Sequence, residues 1–324
     1  MRILLTGAAG FIGSYTAEKL LQMRYEVIGI DNLNDYYAPS LKKYRLARLL
    51  EYPNFTFHAV DIADWHSLSA LFELIAPIDA VINLAARAGV RASLRDPLVY
   101  HHTNATGSLY LLELMRRYSV GRYVLASTSS LYAGTALPFT EDCPVNTPIS
   151  PYAASKKAAE VLAYTYAYQF GIHAAVLRYF TVYGPAGRPD MSIFRFIEWI
   201  YRGQPLQLYG DGKQSRDFTY VEDVAAGTVA ALSVQGYEVF NIGGGQAPTS
   251  LTDVIVHIEE RLGKKAQIVQ HPFPKADLLH TQADIQKAQR HLGWTPQVDF
   301  WTGLNRTIEW HLAHRSLLDN LELP

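Results

Sequence analysis

The chain has 324 residues, 49% of them hydrophobic and 18% charged, which excludes a disordered or fibrous chain and supports one large α/β unit or two lobes sharing a cleft. Its 29 Lys and Arg stand against 30 Asp and Glu, a formal charge of −1, so no global field draws it to nucleic acid or to an anionic membrane. Cys143 is the one cysteine, which excludes an intramolecular disulfide and fits a reducing compartment.

The apolar run Ile3-Leu4-Leu5 meets Gly7 and Gly10 too soon for a signal sequence or a membrane span. A soluble, cytoplasmic protein is expected. Strands are predicted over 2–6, 26–30, 55–59, 80–83, 122–127 and 173–179, with helices beginning near Phe11, Pro39, Trp65, Asp96 and Pro151. Strand and helix in alternation predict an α/β fold with a doubly wound parallel sheet, Rossmann-like, helices covering both faces. After Tyr179 the rhythm breaks at Pro185, Pro189 and Pro205 and at Gly184, Gly187, Gly203, Gly210 and Gly212. A first domain over 1–180, rejoined by a segment around 217–245, and a smaller lobe over 181–324 are expected. The basic stretch 42–48 reads as the solvated face of an inserted helix, and there is no internal repeat.

The first strand runs into Gly7-Ala8-Ala9-Gly10-Phe11-Ile12-Gly13 and then a helix. One glycine permits the tight turn, one admits a pyrophosphate to the backbone and one lets helix pack on strand, while the helix amides face the phosphates. Asp31 ends the next strand 18 residues after Gly13. A carboxylate there accepts bonds from both ribose hydroxyls and repels a 2′-phosphate, so NAD is favoured over NADP. Asp61 and Ile62, past the third strand, suit the adenine. Asn83-Leu84-Ala85-Ala86, ending the fourth, sets small residues where backbone approaches the cofactor.

Pro151-Tyr152-Ala153-Ala154-Ser155-Lys156 opens a helix with Tyr152 and Lys156 on one face. A phenol with pKa about 10 is a poor base at neutral pH; a nearby ammonium favours the phenolate and brings it into range. The same lysine can hold a nicotinamide ribose.

Together, Gly7-x-x-Gly10-x-x-Gly13, Asn83-Leu84-Ala85-Ala86, Asn104-x-x-Gly107, Ser127-Thr128, Tyr132 and Tyr152-x-x-x-Lys156 resemble the extended short-chain dehydrogenase/reductase superfamily, specifically its nucleotide-sugar epimerases. Arg178-Tyr179-Phe180, Gly210-Asp211-Gly212, Arg216-Asp217-Phe218 and Ala283-Asp284-Ile285-x-Lys287-Ala288 carry the resemblance through the second half. It implies a tightly held NAD in the first domain, with Asn32, Asn104 and Tyr179 added to its contacts, and a UDP-sugar between the lobes; no metal is expected, on the histidine spacing below. It also implies a homodimer through helices near 96–116 and 151–170.

Three reactions of this superfamily begin alike: hydride leaves sugar C4 as Tyr152 removes the 4-hydroxyl proton, with Thr128 in the place of the catalytic Ser or Thr. Similar dehydratases carry Asp-Glu directly after that threonine, and similar uronate decarboxylases a glutamate two places after it. Here Ser129 and Ser130 stand there, so elimination lacks its proton shuttle and epimerisation remains. Galactose-type epimerases continue Arg-Tyr-Phe with Asn. This chain continues with Thr181 and places Arg188 seven residues on, a pattern similar to UDP-glucuronate 4-epimerases, in which that pair holds the sugar carboxylate. Arginine offers the planar fork for it. Oxidising C4 of a glucuronate makes a β-keto acid that loses CO₂ when its carboxylate rotates, so a clamp by Arg188, Thr181, Ser129 and Ser130 restrains that rotation.

Arg216 matches the superfamily's diphosphate arginine, 206–208, with Leu208, resembles the strand beside uracil, and Asp277 is expected at a ribose hydroxyl. Arg87 and Arg91 are read either as site residues or as cap and interface charges. Adjacent His101 and His102 lack a ligand-spaced partner. Tyr132 is followed by Ala133-Gly134 where relatives show glycine at once, which predicts a shifted loop behind the threonine. The rival readings are a 4-epimerase of a neutral UDP-hexose or UDP-pentose, and a non-catalytic NAD-binding regulator.

Overall fold

The computed structural model describes residues 1–323; Pro324, the end of the expected second lobe, lies outside them. Strand and helix alternate as β1 (Arg2–Thr6), α1 (Phe11–Gln22), β2 (Glu26–Asp31), α2 (Pro39–Leu49), β3 (Phe55–Ala59), α3 (Trp65–Ile75) and β4 (Ala80–Asn83). Short helices α4 (Val90–Ser93) and α5 (Pro97–His101) lead through a π-turn at His102–Thr106 into α6 (Gly107–Arg117). β5 (Arg122–Thr128), α7 (Pro151–Phe170) and β6 (His173–Tyr179) follow. Each predicted strand is present; β2 and β5 each run one residue further, to Asp31 and Thr128.

The second half is built of shorter pieces: β7 (Thr181–Tyr183), α8 (Ser192–Arg202), β8 (Pro205–Tyr209), β9 (Ser215–Arg216), β10 (Phe218–Tyr220), α9 (Val221–Ala230) and β11 (Tyr237–Ile242). Then come β12 (Thr249–Ser250), α10 (Leu251–Leu262), β13 (Gln267–His271), α11 (Gln286–Leu292), α12 (Phe300–Ala313) and α13 (Arg315–Leu318).

Seven parallel strands form the central sheet in the order β11-β6-β5-β4-β1-β2-β3. Side chains alternate between its faces: Ile3, Leu5, Ile82, Val124 and Leu177 enter one core, and Leu4, Ile28, Val81, Leu125 and Val176 the other. Both faces are therefore apolar and covered by helices, which is the condition a parallel sheet needs. The chain leaves β1 toward β2 and returns to β4 on its other side, so the strand order reverses at β1, and a crevice opens beyond the carboxyl ends of those strands. Within 217–245, α9 packs on α1 and β11 pairs with β6 at the sheet edge.

A separate core of Ile193, Ile197, Leu206, Val254, Leu304 and Ile308 holds the second half together, alongside three two-stranded sheets, β10-β7, β12-β9 and β13-β8. The solvated face expected over 42–48 needs correction. In α2 the buried residues are Leu41, Lys42, Arg45, Leu46 and Leu49, so two of the cations lie on the apolar stripe of a 3.6-residue period and point inward.

Candidate active site

β1 ends at Thr6, and the turn after it brings backbone against backbone. A Cβ on Gly7, whose φ is 71°, would stand 2.8 Å from the Ala85 amide nitrogen, and one on Gly13 would stand 1.9 Å from the Gly7 carbonyl. That closeness exposes the amides at the start of α1 to the crevice. Thr6 fastens the neighbouring turn: its hydroxyl donates to Asn83 Oδ1 at 2.7 Å and accepts from the Ala85 amide at 3.0 Å. Asn83 in turn donates to Ser108 and Tyr123, so the Leu84–Ala86 backbone is held from below.

At the end of β2, Asp31 accepts from the Leu33 amide at 2.8 Å, and Asn32 donates to Asp61 at 2.8 Å, joining the tips of β2 and β3. Lys42 reaches the same place from α2, its Nζ 3.6 Å from Asp31 Oδ1.

The second wall comes from β5 and α7. Ser150 caps α7 by accepting from the Ala153 amide, and Pro151 occupies its first turn, where its missing N–H costs nothing. Tyr152 and Lys156 then project along one face. Burial raises the Tyr152 phenol above its ordinary value, while the neighbouring Thr128 hydroxyl and the Arg188 charge work the other way. Lys156 Nζ donates to the Ala126 carbonyl at 2.9 Å and keeps two further protons for other acceptors. Burial pulls its pKa down to about 8 against the opposing charge of Glu160. Thr128 accepts from the Ser130 amide at 3.1 Å, so its own proton is left for a partner in the crevice.

Arg188 closes the far end. Its Nε and Nη2 donate to Asp190 Oδ1 and Oδ2 at 3.0 and 2.5 Å. Burial disfavours the guanidinium charge; Asp190 favours it by attraction and by both bonds, and the pKa is held well above the ordinary value. The bidentate hold uses one edge of the guanidinium and leaves the Nη1 edge for another partner.

One cavity of about 360 Å³ is lined by Gly7, Gly10, Phe11, Ile12, Gly13, Asp31, Asn32, Asp61, Ile62, Leu84, Ala85 and Ala86 and also by Thr128, Ser129, Ser130, Tyr152, Lys156, Tyr179, Thr181 and Arg188. Tyr179, at the end of β6, also lines it, and its hydroxyl is bonded to that of Thr228 at 2.7 Å. Arg87 also lines it, over the Tyr36 ring at 5.2 Å.

Four expected residues lie elsewhere. Asn104 sits in the π-turn behind the cavity, where its amide nitrogen donates to the Arg87 carbonyl and to Ser155 and its oxygen accepts from the Arg87 amide; it braces the wall rather than forming it. Leu208 is buried in the core of the second half, because alternate side chains of β8 point inward. Arg216 donates to the Ser215 and Leu279 carbonyls. Asp277 pairs with Arg91 at 3.8 Å, and Arg91 lies 4.2 Å over the Tyr209 ring, so Arg91 bridges the two halves. The loop behind Thr128 forms a tight 3-10 turn over Ser129–Tyr132, and Tyr132 is anchored by donating to Asn241 at 2.7 Å. No group of three or more His, Cys, Asp or Glu able to hold a metal occurs among the described residues.

Several polar contributors escaped the sequence reading. Lys42, Arg45 and Glu160 are buried and reach the cavity or its backing; the available signal was spacing, since Glu160 continues the Tyr152, Lys156 series at i+8 and Arg45 stands four residues after Leu41. Glu160 accepts from Ser127 at 2.6 Å and from Arg178 at two points.

The model of the NAD dependent epimerase/dehydratase family matches residues 3–243, more than half of the chain. The chain belongs to this family. The UDP-glucuronate 4-epimerase of Thermodesulfobacterium geofontis is 52% identical to it over 320 residues, 99% of each chain. Within the solved structures of similar fold, the UDP-glucuronic acid 4-epimerase of Bacillus cereus in complex with UDP-glucuronic acid and NAD superposes with a TM-score of 0.90 at 37% identity, over 97% of this chain and 99% of that one. The UDP-glucose 4-epimerase of Thermotoga maritima with UDP-glucose superposes at 0.88 with 34% identity, over 97% and 99%. Family membership and fold are thus common to epimerases of acidic and of neutral sugars.

Proposed function

We propose that this chain is an NAD-dependent UDP-glucuronate 4-epimerase, interconverting UDP-glucuronate and UDP-galacturonate. The observation that carries the reading is the meeting of Arg188 and Tyr152 in one cavity, near enough for the guanidinium charge to act on the phenol, in a chain 52% identical to an enzyme of that name. The first domain (1–180 with 217–245) is assigned to the cofactor and 181–324 mainly to the sugar nucleotide.

The glycine turn fits a dinucleotide, since Gly7 and Gly13 leave no room for a Cβ and open the amides of α1. Gly10, Phe11, Ile12 and Gly13 would hold the pyrophosphate, Asp31 and Asn32 the adenosine ribose, Asp61 and Ile62 the adenine, and Lys156 the second ribose. The cofactor held there would supply a hydride acceptor for sugar C4 and a hydride donor for the return to its other face.

The chain's own residues manage protons and position. Tyr152 takes the proton of the 4-hydroxyl and later gives it back, and Thr128 donates to the same oxygen. Lys156 and Arg188 supply positive charge that makes the phenolate attainable inside a buried site. Ser129 and Ser130 bring no carboxylate to the position where elimination requires an acid and a base. The free edge of Arg188, with Thr181, Ser129 and Ser130, receives the uronate carboxylate and keeps it from rotating into the geometry that expels CO₂.

A homodimer is part of the proposal. Val161, Tyr164 and Tyr168 stand exposed along α7 at helical spacing, an apolar face that light scattering tests as a dimer contact. No helix among the described residues is long and apolar enough to cross a membrane, and the single cysteine fits a cytoplasmic setting.

The test is purified protein incubated with UDP-glucuronate and, in parallel, UDP-glucose, without added cofactor, followed by NMR of C4. Formation of UDP-galacturonate is expected. Turnover of the neutral sugar alone would establish the hexose epimerase instead, and no turnover of any nucleotide sugar would favour a regulator that only binds NAD.

A further inference from the structure

Arg45 points from α2 into the protein and is 1% exposed. Its bonds end on uncharged oxygens: Nε and Nη2 donate to the Ala186 carbonyl at 3.0 and 2.7 Å, Nη2 to the Gly187 carbonyl at 2.8 Å, and Nη1 to Tyr37 Oη at 2.8 Å and the Ala9 carbonyl at 3.3 Å. The rings of Tyr37 and Phe11 lie 5.4 and 5.9 Å from the guanidinium. A buried cation is costly without compensation, and here carbonyl dipoles and ring faces supply it. That cost is retained at a place where two loops meet.

One of those loops is the glycine turn, through Ala9. The other is the segment that ends in Arg188. Ala186 holds a positive φ of 52°, a conformation that is costly for a non-glycine residue and persists only under outside support. Arg45 supplies that support at the two carbonyls preceding Arg188, and Asp190 then fixes the Arg188 fork from the other side. A lysine could not span these acceptors, because it has one nitrogen where arginine has three in a plane.

We propose that Arg45 is a positioning residue for uronate recognition: it pins the 186–187 backbone to the glycine turn so that Arg188 meets the sugar carboxylate at a set place. The inference rests on the function proposed above. It assigns to the inserted helix α2 a part in substrate choice, although α2 contributes no group to the reacting atoms.

The test uses holoenzyme and calorimetric titration with UDP-glucuronate and with UDP, which lacks the carboxylate. Arg45→Lys should weaken UDP-glucuronate about tenfold, or about 1.4 kcal/mol, and leave UDP within about twofold. In an Arg188→Ala background the same substitution should add less than about twofold, since residues acting through one contact are not additive. Tyr37→Phe, which keeps Arg45 and removes one acceptor, should give a smaller loss with the same selectivity for the uronate, and keeps the test open if Arg45→Lys does not fold. Unchanged uronate affinity, an equal loss for UDP, or a full tenfold loss on top of Arg188→Ala each overturns the proposal. If unmodified protein fails to turn over UDP-glucuronate, the functional reading fails instead.

Discussion

Arg178 and Glu160 meet in a two-point ion pair beneath the cavity, Nε to Oε1 at 3.0 Å and Nη2 to Oε2 at 2.9 Å. Glu160 lies one turn beyond Lys156 on α7 and also accepts from Ser127 on β5, so a single carboxylate joins α7, β5 and β6 directly behind Thr128, Tyr152 and Lys156. Arg178 donates onward to Tyr132 at 2.9 Å, which carries the brace to the turn that follows Thr128.

Removing Glu160 leaves Arg178 buried without its counter-ion. Glu160→Ala is expected to lower stability by about 3–5 kcal/mol, read from urea unfolding. Glu160→Leu combined with Arg178→Met should recover much of that loss, because the cost lies in the uncompensated charge; a double variant as unstable as the single one contradicts this account.

Tyr152→Phe removes only the ionisable oxygen of the proposed base. NAD content of the purified protein should be unchanged while turnover falls by about 10²–10⁴, the usual worth of positioned acid–base catalysis. Near-normal kcat would assign the proton transfer to another group.

Lys156 carries a pH signature. Its folded pKa of about 8 lies below the ordinary 10.5, so between those values the unfolded chain binds the proton that the folded one has released, and stability rises with pH across that window. Below about pH 8 both states hold the proton and the full penalty of its burial applies, on the order of 3 kcal/mol. Lys156→Met should lose this slope. Equal slopes for both proteins, in unfolding measured from pH 7 to 10.5, would reject the depressed pKa.

Arg188→Ala removes both the proposed carboxylate partner and a charge that favours the Tyr152 phenolate. KM for UDP-glucuronate should rise by about tenfold or more, given about 1.5–3 kcal/mol for a bond to a charged group. Part of the product should be a UDP-pentose formed by loss of CO₂, and the rising limb of kcat/KM should move to higher pH. A pH profile that stays in place separates the clamp from the electrostatic role.

Gly13→Ala tests the turn itself. The added Cβ would fall 1.9 Å from the Gly7 carbonyl, so the strand–helix junction must open. The variant should purify with little bound NAD and unfold at lower temperature, and full cofactor content would show that the turn relaxes at small cost.

Much of this was readable along the chain because it is short in range. The strand runs, the glycine turn after β1 and the Tyr152, Lys156 spacing each depend on residues within a few positions, and local periodicity sets which face they share. All six predicted strands accordingly occur where the pattern put them, and most of the residues singled out line one cavity.

What the pattern missed depends on encounters across the fold. Lys42 and Arg45 read as a solvated basic run because α2 carries no acidic residue to pair with them. Arg45 finds its acceptors at Ala186 and Gly187, 141 and 142 residues away. Leu208 faces a core that only its own lobe creates, Asp277 is drawn to Arg91 from the other half of the chain, and Asn104 turns to brace the Arg87 backbone. Linear order carries propensity and period; burial and charge pairing are properties of the assembled volume, where a cation's partner is whichever dipole the packing brings within 3 Å.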